Sequence, residues 1–246
     1  MIAKKQRLDK VLVERGMFPD EETAKRAVLA HEVKIDNSYA TSAAAPISPD
    51  ADIWVKGAPK YVSRGGYKLE GALKEFSQDV AGMKCIDIGS STGGFSDCLL
   101  QAGAAHVACV DVNYGMLAWK VRNDPRTAVF ERTNIRTVEP AVLGAPFDLL
   151  VADLSFIGLA SLAPVFARLS HNGSVFIGLV KPQYESAHEE TDGAGYVADP
   201  SVRARTVQEV QDALAAAGFT VSGCMESPIT GRKSHNVEYL VRAVFR

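Results

Sequence analysis

The sequence has few cysteines, no long uncharged run and almost no net charge, and each shortage excludes a class of protein. Cys85, Cys98, Cys109 and Cys224 are the four in 246 residues. They form no C-x-x-C pair and fall mostly inside apolar runs, so neither a disulfide framework nor a metal site is expected; they read as small buried hydrophobes in a reducing compartment. The longest stretch without a charged side chain, residues 154–167, is too short to span a bilayer and contains Pro164. Residues 1–5 lead into charged sequence rather than an apolar segment, so no signal peptide is expected, and with it a cytoplasmic protein without stable membrane association. Lys and Arg number 27 against 29 Asp and Glu, a net charge of −2, which gives no global attraction to polyanions. Affinity for nucleic acid has to come from local clusters. The remainder, 47% hydrophobic and 23% charged, is the composition of a packed globular chain, one large domain or a medium one with a small appendage.

Residues 1–60 read as a unit of their own. Leu8, Val11 and Leu12 share one helix face, and Gly16 ends that helix. Asp20 is the N-cap of a second helix with Thr23 in its first turn; Ala24, Ala27 and Val28 repeat at helical spacing, while Lys25 and Arg26 fall off the stripe. Val33 and Ile35 alternate into an Asp36-Asn37 turn, and Ile53 and Val55 supply a return strand after a loop rich in Pro, Ser and Ala. Two short helices and a small hairpin, with the opening Arg7, Leu8, Asp9, Lys10, Val11, Leu12 and the central Ala24, Lys25, Arg26, resemble the S4 RNA-binding domain. The resemblance implies docking onto structured RNA, with Lys4, Lys5, Arg7, Lys10, Lys25, Arg26 and Lys34 as a phosphate-binding face beside the acidic Asp20, Glu21 and Glu22. Charge alone favours a solvated helix surface; the family pattern reverses that order.

Residues 57–66 have the composition of a loop, with 61–66 read as a linker. From residue 67 a helix carrying Leu69, Leu73 and Phe76 leads into strands at 83–88, 106–112, 128–131, 147–152 and 175–180 with helices between them. A helix at 200–217 precedes two last strands, at 220–226 and 236–245. The fold class is therefore α/β, a Rossmann-like, mostly parallel sheet over residues 67–246 with helices on both faces.

After the first of these strands comes a glycine-rich turn, Asp87, Ile88, Gly89, Ser90, Ser91, Thr92, Gly93, Gly94, Phe95, and Asp111 ends the next apolar run. Small residues let backbone N–H groups approach a nucleotide cofactor, and a carboxylate about twenty residues on can accept from ribose hydroxyls. A dinucleotide site normally reads G-x-G-x-x-G, whereas here Ser91 stands where the second glycine belongs. S-adenosylmethionine has no pyrophosphate to cradle and wants carboxylates for its ammonium and ribose; Asp87 and Asp111 meet that need. Together these residues resemble motif I and the acidic loop of class I methyltransferases, which favours methyl transfer over hydride transfer. Asn134, ending the third strand, is assigned to the adenine region, although an Asn there is as often a plain turn residue.

Asp153 and Lys181 each follow a buried parallel strand, at the carboxyl ends where ligands bind in open α/β sheets. Lys68 comes from the helix before the first strand and Glu238 from the last strand. Lys68, Asp153, Lys181, Glu238 in this order resemble the tetrad of the FtsJ-like ribose 2′-O-methyltransferases. Ser63, Arg64, Gly65, Gly66, Tyr67, Lys68, Leu69, then Ala152, Asp153, Leu154, Ser155, Phe156, Ile157, then Val180, Lys181, Pro182, Gln183, Tyr184, behind an S4-like unit, resemble the TlyA family over nearly the whole chain. The resemblance implies methylation of cytidine in ribosomal RNA or ribosomal subunits with S-adenosylmethionine and no metal; some members carry the older label haemolysin. Taken singly, each tetrad residue reads as a solvated lysine, a strand-end cap or an exposed strand carboxylate.

A ribose 2′-hydroxyl must lose a proton as it attacks the methyl carbon. Lys181, held by Asp153 and Glu238 beside the like charge of Lys68, serves as the base if neutral or stabilises the alkoxide if charged. Residues 231–236, with Arg232 and Lys233, and also Arg64, are assigned to RNA phosphates, and residues 193–196 to a loop that folds over the substrate; a disordered surface loop is the competing account. A non-catalytic RNA-binding assembly factor and a membrane-lytic protein are the alternative readings.

Overall fold

The computed structural model describes residues 5–36, 38–48, 51, 53–231 and 236–246. The chain forms two compact units, Met1–Lys60 with Ala118–Asn123, and Tyr61–Leu117 with Asp124–Arg246.

In the first unit, strand β1 (Gln6–Arg7) precedes helix α1 (Leu8–Glu14), and helix α2 spans Glu21–Leu29. Asp20 caps α2 through Oδ1, which accepts from Thr23 N at 2.7 Å. Leu8, Val11 and Leu12 of α1 and Ala24, Ala27 and Val28 of α2 are buried in one cluster with Val33 and Ile47. The expected hairpin is present as β2 (Val33–Ile35) paired antiparallel with β5 (Ile53–Val55). Two short strands that composition does not predict lie between them: β3 (Ser38–Tyr39) adds to β2, and β4 (Pro46–Ile47) pairs with β1. A short helix, α5 (Trp119–Arg122), groups with this unit, its Trp119 ring lying 4.6 Å from the Arg15 guanidinium.

The second unit is a seven-stranded sheet in the order β11-β12-β10-β9-β6-β7-β8. Its strands are β6 (Lys84–Ile88), β7 (His106–Val110), β8 (Thr127–Phe130), β9 (Phe147–Ala152), β10 (Ser170–Val180), β11 (Phe219–Glu226) and β12 (Tyr239–Phe245). The five from β6 to β10 run parallel, and β12 then β11 close the edge antiparallel. The helices are α3 (Gly65–Glu75), α4 (Gly94–Gln101), α6 (Ala163–Arg168), α7 (Pro182–Glu185) and α8 (Pro200–Ala216). Alternate strand residues Ile86, Ile88, Ala108, Val110, Leu150, Ala152, Phe176 and Val241 pack with Phe166 of α6 and Val210 and Leu214 of α8. Their neighbours Cys85, Val107, Cys109, Leu149, Val151, Ile177 and Leu240 are buried as well, so both faces of the sheet are covered.

Residues 61–66 do not form a free linker. Tyr61 is buried, Val62 N donates to Asp97 Oδ2 of α4 at 3.0 Å, and α3 begins at Gly65 rather than Tyr67. A Cβ on Gly66 would sit 2.2 Å from the Tyr61 ring, so glycine is what lets the segment fold back on itself. Three further expectations shift. Asn134 lies four residues beyond β8 rather than at its end, Glu238 precedes β12 by one residue, and β10 starts five residues earlier than its apolar run.

Candidate active site

The parallel strands deliver their carboxyl ends to one edge of the sheet, where Gly89, Asp111, Asp153 and Lys181 follow β6, β7, β9 and β10 directly. The turn after β6 needs its glycines for different reasons. Gly89 has φ +82°, and a Cβ there would meet Leu154 Cδ2 at 2.6 Å and the Asp153 carbonyl oxygen at 3.0 Å. Gly93, at φ +89°, is the N-cap of α4, and Gly94 admits Ser63 and the Gly66 amide against the helix.

Asp87 looks into this turn from inside β6. Its Oδ2 accepts from Ser96 N at 2.9 Å and Ser96 Oγ at 2.6 Å, while buried Oδ1 has no hydrogen-bond partner. Burial raises the Asp87 carboxyl to about 7; the hydrogen bond from Ser96 opposes that rise, and the charges of Asp153 and Asp111 add to it. An unpartnered carboxylate oxygen in a cavity wall fits a ligand that brings an ammonium group.

Two cavities open along this edge and share Gly89, Ser91, Asp153 and Ser155. The smaller, about 170 Å³, is polar and lined by Ser63, Asp87, Ser90, Gly94, Phe95 and Lys181 among others. The larger, about 470 Å³, has Asp111 and Asn134 in its wall with the apolar Val112, Ile135, Leu154 and Ile157. Asp111 is pre-set there, Oδ2 accepting from Ser91 N at 2.7 Å and Oδ1 from Asn113 N at 2.8 Å. Asn134 Oδ1 accepts from Arg136 N at 3.0 Å, a turn contact that leaves its amide N–H groups for a ligand. A polar lobe with a free carboxylate joined to a half-apolar lobe with a second carboxylate has the shape of an amino acid coupled to a nucleoside.

The four tetrad residues form two pairs, and the pairing differs from the expected one. Lys181 Nζ lies 2.5 Å from Asp153 Oδ1 and donates to Ser155 Oγ at 3.3 Å. Glu238 does not hold Lys181: its Oε2 accepts from Lys68 Nζ at 2.5 Å, in a pair that is buried. Gly231 leaves room for this carboxylate, since a Cβ there would stand 3.2 Å from Glu238 Oε1.

Supporting residues carried no signal in the sequence. Glu185 of α7, raised by burial above the usual carboxylate range, accepts from Leu159 N at 2.5 Å and ties the segment after Asp153 to the segment after Lys181. Asn236 is fully buried, its Oδ1 accepting from Val197 N and its Nδ2 donating to Gly195 O. Residues 193–196 are thus a turn, closed further by Asp192 Oδ1 accepting from Ala194 N and Tyr196 N. Phe156, 87% exposed with φ +68°, leans on the Tyr184 ring at 5.4 Å.

The expected RNA-contacting cations are spread unevenly. Lys5, Lys10 and Arg26 are exposed, and Lys25 and Lys34 half-buried. Arg7 is already engaged: Nε and a terminal nitrogen donate to the buried Asp9 carboxylate at 3.0 and 2.6 Å, which holds Asp9 below its ordinary range. Arg64 donates to Thr230 O at 3.0 Å. Lys4, Arg232 and Lys233 lie outside the described residues. Among the described residues no helix is long and apolar enough to cross a membrane, and no group of three or more His, Cys, Asp or Glu is arranged to hold a metal ion.

The family model for FtsJ-like methyltransferases matches residues 61–245. YqxC of Bacillus subtilis strain 168 is 46% identical over 244 residues, covering 98% of this chain and 86% of that protein. The 16S/23S rRNA (cytidine-2′-O)-methyltransferase TlyA of Mycobacterium tuberculosis is 42% identical over 242 residues, covering 98% of this chain and 90% of that one. The solved structure of a hemolysin-named protein from Streptococcus thermophilus aligns with a TM-score of 0.73 at 36% identity, over 98% of this chain and 89% of the other.

Proposed function

The chain belongs to the FtsJ-like methyltransferase family, and within it to the TlyA proteins, and we propose that it methylates the ribose 2′-hydroxyl of a cytidine in 16S or 23S ribosomal RNA. S-adenosylmethionine supplies an electrophilic methyl group on a sulfonium that is a good leaving group. Asp87 Oδ1 would hold its ammonium, Asp111 its ribose hydroxyls, and Asn134 with the apolar wall of the larger cavity its adenine. Gly89, Ser90, Ser91, Gly93, Gly94 and Phe95 shape the turn around it.

The observation that carries the reading is the Lys181–Asp153 pair, set where the two cavities meet. Asp153 and Ser155 fix the Lys181 nitrogen in the cavity wall, so that it orders the incoming hydroxyl and offsets the charge that grows on the oxygen as the O–CH3 bond forms, the CH3–S bond breaks to leave a neutral thioether, and the hydroxyl proton passes to water. Such preorganised groups contribute about 10²–10³-fold to rate, and in-line alignment of the reacting atoms contributes more. The Lys68–Glu238 pair positions α3 and the approach to β12 around this centre. We assign the first unit, as an S4-like domain, to docking on structured RNA through Lys5, Lys10, Lys25 and Arg26, with a base-paired cytidine extruded to reach the cleft.

The test is transfer of labelled methyl from S-adenosylmethionine to purified ribosomal subunits, with the modified nucleotide mapped. Label on a cytidine ribose, lost in Lys181→Ala while RNA still binds, supports the reading. RNA binding without transfer by the native chain would make it an assembly factor instead.

A further inference from the structure

We propose that the three-stranded sheet of the first unit carries a stacking site for an unpaired nucleotide of the RNA substrate, formed by Tyr39, Lys34 and Trp54. The proposal rests on the reading of the chain as an RNA-modifying enzyme, and extends it to a surface remote in sequence from the methyltransferase motifs.

The register of β3, β2 and β5 sets Lys34 opposite Tyr39 on one side and opposite Trp54 on the other. Residues in register on neighbouring strands project to the same face, so the three side chains form a row across the sheet. Lys34 Nζ lies 4.8 Å from the centre of the Tyr39 ring and 4.9 Å from that of Trp54. The alternate residues Val33, Ile35, Ile53 and Val55 go to the opposite face, where they join the core of the unit. The row is therefore not part of that core. Tyr39 is 52% exposed and Trp54 47%, both among the large hydrophobic side chains that this fold leaves in water.

Around the row, exposed His31 meets the Tyr39 ring edge-on at 6.1 Å, and exposed Lys56 follows β5 directly. Glu32 and Asp36 flank β2 and limit the local positive charge. What the row offers is ring surface and an ammonium within one side-chain length of each other. An unpaired nucleotide presents the complementary set, a π-face joined to a phosphate. A duplex does not, because its bases are stacked on one another and only its phosphates and groove edges are accessible. The occupant is accordingly a single-stranded RNA segment such as a loop or bulge. The competing account is a self-contained cation–π cluster that stiffens three short strands. That account makes Trp54 matter for stability and not for RNA.

Trp54 and Trp119 are the two tryptophans of the chain, so Trp119→Phe in the full-length protein leaves Trp54 as the fluorescent reporter. The probe is an unpaired RNA of about ten nucleotides, compared with the same sequence in a duplex, within the site sizes that stacking surfaces cover. Expected results are quenching of Trp54 by the single strand and little by the duplex. Trp54→Ala should weaken single-strand binding about tenfold, and Trp54→Phe should restore most of it with an unchanged thermal midpoint. Absence of quenching, or equal affinity in Trp54→Ala, overturns the proposal. Loss of binding to whole ribosomal subunits in Trp54→Ala without loss on protein-free RNA also overturns it, since the occupant would then be a ribosomal protein. Methyl transfer by the native chain is scored separately: quenching without transfer retains the stacking site and removes the catalytic reading, and transfer without quenching does the reverse.

Discussion

Two lysine–carboxylate pairs in the second unit have the same length, 2.5 Å, and equally withdrawn lysines, 11% exposed for Lys181 and 10% for Lys68. The carboxylates separate them. Asp153 keeps 24% exposure and lines both cavities, whereas Glu238 keeps 3% and, like Lys68, is not among the residues lining either. Identical chemistry at identical distance thus supports different work. The open pair can meet a substrate atom as it gains charge. The closed pair touches neither cavity and holds α3 against the approach to β12. Removing one partner from the first admits water, but removing one from the second strands a charge in the protein interior.

The largest effect that tests this contrast is on rate. Lys181→Ala should lower kcat for methyl transfer by about 10³-fold. Its unfolding free energy should fall less than that of Lys68→Ala, because Asp153 lines both cavities and water can enter where the ammonium was. An equal fall in stability would erase the distinction. Lys68→Ala, in turn, should cost about 3–5 kcal/mol in denaturant unfolding, with most of it recovered in the double variant Lys68→Met, Glu238→Leu. If Lys68→Ala unfolds like the native chain and has lost transfer, Lys68 belongs beside the substrate.

Asp87 sharpens the comparison, being as buried as Glu238, in a cavity wall like Asp153, and without a cation. With the folded carboxyl at about 7 and the unfolded one near the ordinary value of about 3.9, the folded state retains a proton that the unfolded state releases. Stability from this group therefore falls as pH rises between those values and is level above them. Asp87→Asn should be more stable than native at pH 8, by a few kcal/mol of unfolding free energy at most, with the gain vanishing near pH 4. For the native chain, affinity for S-adenosylmethionine should drop about tenfold from pH 8 to pH 6, as the carboxylate that meets the ammonium becomes protonated. A flat calorimetric profile over that range would take Asp87 out of the cofactor site. The smallest effect is expected at Glu185: Glu185→Gln keeps an acceptor for the Leu159 amide and should change kcat by less than about threefold, whereas Glu185→Ala frees a buried N–H and should cost about 1–3 kcal/mol in a denaturant melt.

The elements of the sheet were legible because strands buried on both faces are near-continuous apolar runs, and their ends lie within a residue or two of where those runs stop, apart from the starts of β10 and β12. The site edge was legible for a related reason: Gly89, Asp111, Asp153 and Lys181 each follow such a run, and a parallel sheet gathers those positions. Other details depend on what approaches from far along the chain. Composition marks 61–66 as a linker, and only the amide of Val62 reaching Asp97, with Tyr61 under Gly66, makes it part of the fold. Arg7 reads as a phosphate contact until the buried Asp9 is seen to hold it. Glu185 and Asn236 are invisible in sequence because their value is a hydrogen bond to backbone in another loop.

What the amino-acid order determines by itself is the periodicity, the turn chemistry and the set of charged residues delivered to the sheet edge, all properties of neighbours a few positions apart. Which lysine meets which carboxylate was decided by tertiary structure alone. Lys68 and Glu238 come from α3 and the approach to β12, and their meeting depends on how that helix packs beside that strand. Charge attraction has no preference between two lysines and two carboxylates, so burial and the direction in which each backbone segment projects its side chain make the assignment.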